Sequence, residues 1–436
     1  MPELPVGLLG CGTVGLGVAR IILEKAELIR SRVGVDIRLA GVADINADAV
    51  RDLGLAPGVF TTDAVSIAED PNIPVVIELI GGKTVARDLI LRALSLGKSV
   101  VTANKALIAS HHAEIAETAE KGNGELYYEA SVGGCMPVIK TLREALAGNR
   151  VESAFGILNG TCNYILTRIA EDKLSYEQAL AEAQQQGFAE ADPFLDVSGM
   201  DTAHKLAIVV ALSHGSWVEL SDIYVEGISR LTPMDIEFAA DFGYRIKLLA
   251  ITKNRGNRIE ARVHPTMVPF DNLLASVNGA MNAVKIVGDA TGEMVLYGQG
   301  AGRMPTASAV VSDLCDIARN RACGIKNRLP IFSFRPGTAK PMDLLPMSEV
   351  ETSYYMRFAA QDRPGVLSKI AGALGKQNIS ISSVHQKGRK TEGPVPIVLL
   401  THRAREADVM AALDEIANID VIAERPVLIR IEEEDR

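Results

Sequence analysis

The chain has 436 residues, with 45 Lys and Arg against 54 Asp and Glu, a net charge of −9. At about 150 residues per domain that length suggests roughly three domains. So acidic a chain, 5% aromatic with one Trp, is a poor polyanion binder with little on which to stack bases, which excludes nucleic acid as a partner.

Hydrophobic residues at 47% and charged residues at 23% describe a globular protein rather than a disordered one. No apolar run reaches the ~20 residues of a membrane span, so no membrane is expected. The opening MPELPVGLLG lacks the basic region of a signal peptide. Cys11, Cys135, Cys162, Cys315 and Cys323 are scattered, with no CxxC pair. That fits a reducing cytoplasm and argues against a disulfide framework or a zinc site.

In chain order, residues 6–9 read as an apolar strand, followed by Gly10-Cys11-Gly12-Thr13-Val14-Gly15 and a helix from 16 to about 32. A strand ends at Asp44, and another covers 74–82. Helix 85–96, strand and loop 97–105, helix 111–121 and strand 125–134 follow. Alternating helices and continuously apolar strands predict a doubly wound parallel sheet, a Rossmann-type domain over 1–136. From 137 to 302 the texture becomes α+β, with helices expected over 138–147 and 175–186 and strands over 151–158 and 259–264. Pro305 opens a helix to about Arg319, and 303–334 is expected to pack back on the first domain. Residues 335–350, with three prolines and no periodicity, read as a linker. Residues 351–436 then run βαββαβ, a ferredoxin-like domain, with its second strand over 379–388.

Gly-x-Gly-x-x-Gly has a mechanism here because it follows a strand and opens a helix. Gly10 permits the turn, Gly12 lets backbone approach a pyrophosphate, and Gly15 allows close packing, while the helix N-terminus at Thr13 and Val14 faces the anion. Asp44 stands where a carboxylate holds a ribose 2′-hydroxyl, which favours NAD. It lies 29 residues past Gly15, Arg51 is near enough to leave NADP open, and a plain turn role competes.

Three blocks, VTANKALIA (101–109), GILNGTCNYIL (156–166) and GFAEADPFLDVSGMDTAHK (187–205), together with YEASVGG (128–134) and YGQGAGRMPTASAV (297–310), resemble homoserine dehydrogenase. The resemblance spans residues 6 to about 335. It implies reversible NAD(P)H-dependent reduction of L-aspartate-4-semialdehyde to L-homoserine, in threonine, methionine and isoleucine biosynthesis. By the same resemblance Lys205 is the proton donor, with Asp201 four residues before it on one helix face. Lys105 lies beside nicotinamide and substrate, Glu190 and Asp201 contact the amino acid, and Asp196 is nearby. Gly187 and Gly302 lie near the cofactor. Glu129, Val132, Gly134 and Met136 match a segment that holds a monovalent cation, sodium or potassium, largely through carbonyls. Cys162 lacks the partner motif a phosphorylating aldehyde dehydrogenase would need. His204 reads as packing, and His111-His112 as a helix N-terminus without metal spacing.

Residues 351–436, with DRPGVL at 362–367, resemble an ACT regulatory domain. The resemblance implies threonine as effector, with Asp362, Gly365 and Asn378 as candidate contacts, and a homodimer or homotetramer. Two other readings compete. A non-catalytic sensor of amino acid and dinucleotide would not need both Lys105 and Lys205. An aspartate-semialdehyde dehydrogenase would need the missing cysteine context.

Overall fold

The computed structural model describes residues 1–335, 337–386 and 394–433. The last two residues expected in the 379–388 strand and the tail beyond 433 lie outside these. The first third interleaves strands and helices, with two helices between β1 and β2 and no α-helix between β2 and β3: β1 (Glu3–Leu9), α1 (Thr13–Glu24), α2 (Ala26–Val33), β2 (Asp36–Ala43), β3 (Phe60–Thr61), α3 (Ala64–Glu69), β4 (Val75–Glu78), α4 (Val85–Ser95), β5 (Ser99–Thr102), α5 (Lys105–Gly122) and β6 (Glu125–Tyr127). The strands form one parallel sheet in the order β3-β2-β1-β4-β5-β6, the doubly wound arrangement that places ligands at the carboxyl edge. The helix expected over 16–32 is two helices, broken at Lys25, whose φ of −112° is not helical. α5 begins at Lys105 rather than near His111, because the Asn104 side chain accepts the Leu107 N–H (3.1 Å) as an N-cap. His111 instead marks a kink within the helix.

The middle of the chain contains α6 (Val138–Lys140), β7 (Val151–Ile157), α7 (Gly160–Asp172), α8 (Tyr176–Gln185), α9 (Phe194–Val197), α10 (Met200–His214), β8 (Tyr224–Val225), α11 (Pro233–Asp241), β9 (Tyr244–Arg255), β10 (Arg258–Pro269), β11 (Met281–Gly288), β12 (Gly292–Gln299) and α12 (Arg303–Ala322). The long helix expected over 138–147 is one turn followed by a wider π-type turn at Thr141–Ala145, where the Leu146 N–H reaches back to the Thr141 carbonyl. β9 and β10 pair antiparallel along their whole length, Tyr244 opposite Pro269 and Arg255 opposite Arg258.

The remainder is β13 (Asp343–Leu344), β14 (Glu351–Gln361), α13 (Val366–Lys376), β15 (Ile381–Gln386), β16 (Pro394–Thr401), β17 (Ala404–Arg405), α14 (Glu406–Ala417) and β18 (Val427–Ile431). The antiparallel order β18-β14-β16-β15 is that of a ferredoxin-like ACT domain, with a core of Tyr354, Met356, Phe358, Ile370, Leu399 and Ile416. β18 also pairs parallel with β10 at Thr266 and Met267, and β13, inside the expected linker, pairs with β10 as well.

By contacts the chain forms two compact units. The first holds residues 1–160, 201–222 and 280–342, and the second holds 161–200, 223–279 and everything from Asp343 on. Within the first, α12 lies on α1, and its Val310, Leu314 and Ile317 share a core with Val6, Leu8 and Val18. Gly17 marks the approach, since a Cβ there would stand 2.8 Å from the Arg303 carbonyl oxygen. Among the described residues no helix is long and apolar enough to cross a membrane.

Candidate active site

The glycine loop is built as its spacing requires. Gly10 has φ +94°, and a Cβ there would meet the Leu79 carbonyl at 2.7 Å. A Cβ on Gly15 would overlap the Gly10 carbonyl oxygen, whereas one on Gly12 would meet nothing within 4 Å. Gly12 is the N-cap of α1 and no side chain caps that end, so the first-turn N–H groups from Thr13 and Val14 onward are left for an anion. Open space at Gly12 and an uncapped helix end fit a dinucleotide pyrophosphate. The Asp44 carboxylate accepts the Cys11 N–H (2.5 Å) and the Asn46 N–H (2.8 Å). It therefore makes a turn and braces the glycine loop at the same time.

Sequence reading passed over Glu78. It ends β4 fully buried, accepts the N–H groups of Ile80 and Gly81 (2.9 Å each), and takes the Thr102 hydroxyl at 2.7 Å. The signal was present as a lone acid closing a buried apolar strand. Asn104 donates to the Gly82 carbonyl (2.7 Å), so the loop after β4 and the start of α5 are tied together beside Lys105.

Three of the expected residues meet. Asp201, in the first turn of α10, places Oδ2 2.6 Å from Lys205 Nζ and Oδ1 3.2 Å from Lys105 Nζ. Asn159 donates to the same Oδ2 at 3.0 Å, another contact the sequence hides. Lys205 also donates to the Leu158 carbonyl (2.6 Å). Two of its three N–H donors are thereby spent, and the third has no partner among the described residues. Burial alone would push the Asp201 carboxyl up, but Lys205, Lys105 and Asn159 hold it well below the usual range. Asp201 therefore stays an anion between two ammoniums, and the trio carries a net positive charge. With both oxygens engaged, Asp201 is placed to position the lysines rather than to take a substrate ammonium. His204 is pushed down by burial, with Lys83 adding to it, so it stays neutral and packs.

The remaining acids belong to the second unit. Glu190 is exposed, and Asp196 sits on α9, where its carbonyl accepts the thiol of buried Cys162 (3.2 Å). Gly187 has φ +76° with open space at its Cβ position. In the first unit Gly302 caps α12 at φ +120°, a conformation glycine alone adopts readily.

The cation segment is organised differently from its expected use. Both Glu129 oxygens accept backbone N–H groups, from Ile139 (2.8 Å) and Lys140 (2.9 Å), so this carboxylate caps α6. Burial beside Asp313 pushes it up to about 8. The carboxylate does not fit as a free cation ligand. The carbonyls of Glu129, Val132, Gly134 and Met136 remain to serve, and among the described residues no three His, Cys, Asp or Glu side chains gather as a metal cluster.

The expected regulatory contacts do not form one site within a chain. Asp362 and Gly365 precede α13 and Asn378 follows it, so some 16 Å of helix separates them.

A dinucleotide bed at the carboxyl edge of a doubly wound sheet, with a paired ammonium beside it, defines an NAD(P)-dependent oxidoreductase carrying an ACT domain. Three family models match: the homoserine dehydrogenase NAD-binding domain over residues 10–129, homoserine dehydrogenase over 137–315, and the ACT domain over 354–420. Homoserine dehydrogenase of Neisseria gonorrhoeae is 42% identical over 99% of both chains. A crystal structure of a homoserine dehydrogenase from Thiobacillus denitrificans, 44% identical, superposes with a TM-score of 0.93 over 99% of both chains. A hyperthermophilic archaeal homoserine dehydrogenase solved in complex with NADPH is 26% identical, with a TM-score of 0.61 over 72% of this chain and 96% of its own. The chain belongs to the homoserine dehydrogenase family.

Proposed function

We infer that this chain interconverts L-aspartate-4-semialdehyde and L-homoserine with NAD(P)H, as a step of amino-acid biosynthesis in the cytoplasm. The observation that carries this reading is the Lys105–Asp201–Lys205 trio, with one Lys205 donor unspent.

When bound, the nicotinamide supplies or accepts the hydride. In reduction, Lys205 gives a proton to the aldehyde oxygen as the carbonyl carbon gains a hydride and becomes CH2–OH, and in oxidation it takes that proton back. Asp201 keeps the Lys205 ammonium aimed, and the surplus positive charge with Lys105 stabilises the developing oxyanion. Glu190 offers the carboxylate for the substrate ammonium, with Asp196 behind it. Gly10, Gly12, Thr13, Val14 and Gly15 hold the pyrophosphate, Asp44 the ribose, and Gly187 and Gly302 line the cofactor. Asp44 favours NAD, with NADP also accepted. A sodium or potassium ion on the carbonyls of 132–136 would order that turn and take no chemical part. Threonine is the effector, with Asp362 and Gly365 of one chain meeting Asn378 of another in a dimer or tetramer.

Lys205→Ala should keep NAD(P)H binding and lose about 10²- to 10⁴-fold in kcat. Near-normal kcat would refute the assignment. Absorbance at 340 nm with homoserine and each cofactor ranks NAD against NADP.

A further inference from the structure

Glu190 stands exposed on the loop that follows α8, and its carboxylate has no hydrogen-bond or ion-pair partner among the described residues. Its neighbour Asp192 is already engaged, since Oδ1 accepts the Phe194 N–H (3.1 Å). We propose that Thr161 and Gln184 are positioning residues for the substrate: they fix the main chain on both sides of Glu190, so that its free carboxylate is set for the substrate's α-ammonium. The proposal rests on the dehydrogenase reading above and adds how the ammonium contact is built.

Main-chain carbonyls of an exposed loop ordinarily turn to water, and such a loop opens easily. Here they turn to side chains of α7 and α8. The Phe188 carbonyl accepts the Thr161 hydroxyl (2.5 Å), and the Phe188 N–H donates to the Ala183 carbonyl (2.9 Å). The Phe188 ring also lies 4.8 Å from that of Tyr164, three residues along α7 from Thr161. The residue two before Glu190 is therefore held from three directions. The Gln184 side-chain amide then donates to the carbonyls of Glu190 (3.1 Å) and Ala191 (3.3 Å). Farther along, the buried Cys162 thiol donates to the Asp196 carbonyl. Every one of these groups belongs to the second unit.

The anchor itself is firm. Thr161 is buried in the first turn of α7, and two residues on Asn163 donates to the Val277 carbonyl (3.0 Å) and accepts the Lys247 ammonium (3.0 Å). A hydroxyl has one donor, and Thr161 gives it to Phe188. A carboxylate on a fixed main chain loses less freedom on meeting an ammonium than one on a mobile loop. Loosening the loop should therefore weaken substrate binding and leave proton and hydride transfer alone.

Steady-state oxidation of homoserine by Thr161→Val and Gln184→Met tests this. In each, KM for homoserine should rise by about tenfold or more, the scale of one hydrogen bond to a charged group, with kcat within about threefold. Affinity for NAD(P)+, measured separately, should not change. Thr161→Ser keeps the hydroxyl and should restore KM. Glu190→Gln/Thr161→Val should be no worse than Glu190→Gln alone, because a residue acting through Glu190 then has nothing left to position. Should Thr161→Val fail to fold, Gln184→Met, at a half-buried side chain, carries the same comparison with Glu190→Gln/Gln184→Met. Unchanged KM in the folded single variants, additive losses in the double variant, or a loss confined to kcat overturns the proposal. Failure of the wild-type chain to oxidise homoserine is told apart from these, since it precedes any substitution, and overturns the dehydrogenase reading together with what rests on it.

Discussion

Asp201→Asn keeps the shape of the side chain and removes its charge. The native carboxylate lies 2.6 Å from one ammonium and 3.2 Å from the other, so the variant leaves Lys105 and Lys205 facing a neutral amide and each other. Unit charges about 4 Å apart interact by about 4 kcal/mol at an effective dielectric near 20. Semialdehyde reduction needs the Lys205 ammonium aimed at the aldehyde oxygen, so the variant should lose about 10²- to 10⁴-fold in kcat, as for a misplaced proton donor, with KM for the semialdehyde little changed. Initial rates of NADPH consumption over a range of semialdehyde concentrations, with cofactor affinity measured in parallel, give the comparison. If KM rises while kcat stays near that of the native chain, Asp201 is acting on substrate and the positioning argument is wrong.

Other expectations separate packing from binding. Gly12→Ala should leave Tm within a degree or two, because its Cβ meets open space, yet weaken NAD(P)H by tenfold or more. Gly15→Ala, driven into the Gly10 carbonyl, should lower both Tm and cofactor affinity; equal effects of the two substitutions would contradict this division. Asp44→Ala should lower affinity for NADH more than for NADPH, while also loosening the loop it braces at Cys11. Lys247, buried on β9, donates to Asn163 Oδ1 (3.0 Å) and the Val277 carbonyl, so Lys247→Met should cost about 1–3 kcal/mol in stability. Burial pushes Lys247 down to about 7. Between that value and 10.5 the unfolded chain binds more protons than the folded one, so stability should rise with pH across that window. A variant with the same pH slope as wild type would show that Lys247 does not titrate there.

Local chemistry was readable in the sequence, and remote pairing was not. Gly10, Gly12 and Gly15 each answer to a constraint within a few residues, so their roles follow from spacing. Asp201 and Lys205 share a helix face by arithmetic. The Leu158 carbonyl and Asn159, 47 and 42 residues from their partners, reach the trio only through the fold. β9 was not singled out because Arg245, Lys247 and Lys253 interrupt its apolar residues. Both lysines are buried, Lys253 against Glu432 at the far end of the chain. The ACT strand order was legible from βαββαβ. The separation of Gly365 from Asn378 was also implicit in the helix between them, and it becomes decisive only once a helix of that length is seen to stand there.

The last strand belongs to two neighbours. β18 completes the ACT sheet beside β14 and also runs along β10, and Glu432 just beyond it pairs with Lys253 and Arg262. The tail is therefore not a detachable module. Cutting it away would bare the β10 edge at Thr266 and Met267, an invitation to aggregation, and strand two buried cations at once. A lineage shedding its ACT domain by truncation would have to rebuild that edge in the same event. Substitutions that silence the tail while keeping its strand offer the shorter evolutionary path to an unregulated enzyme.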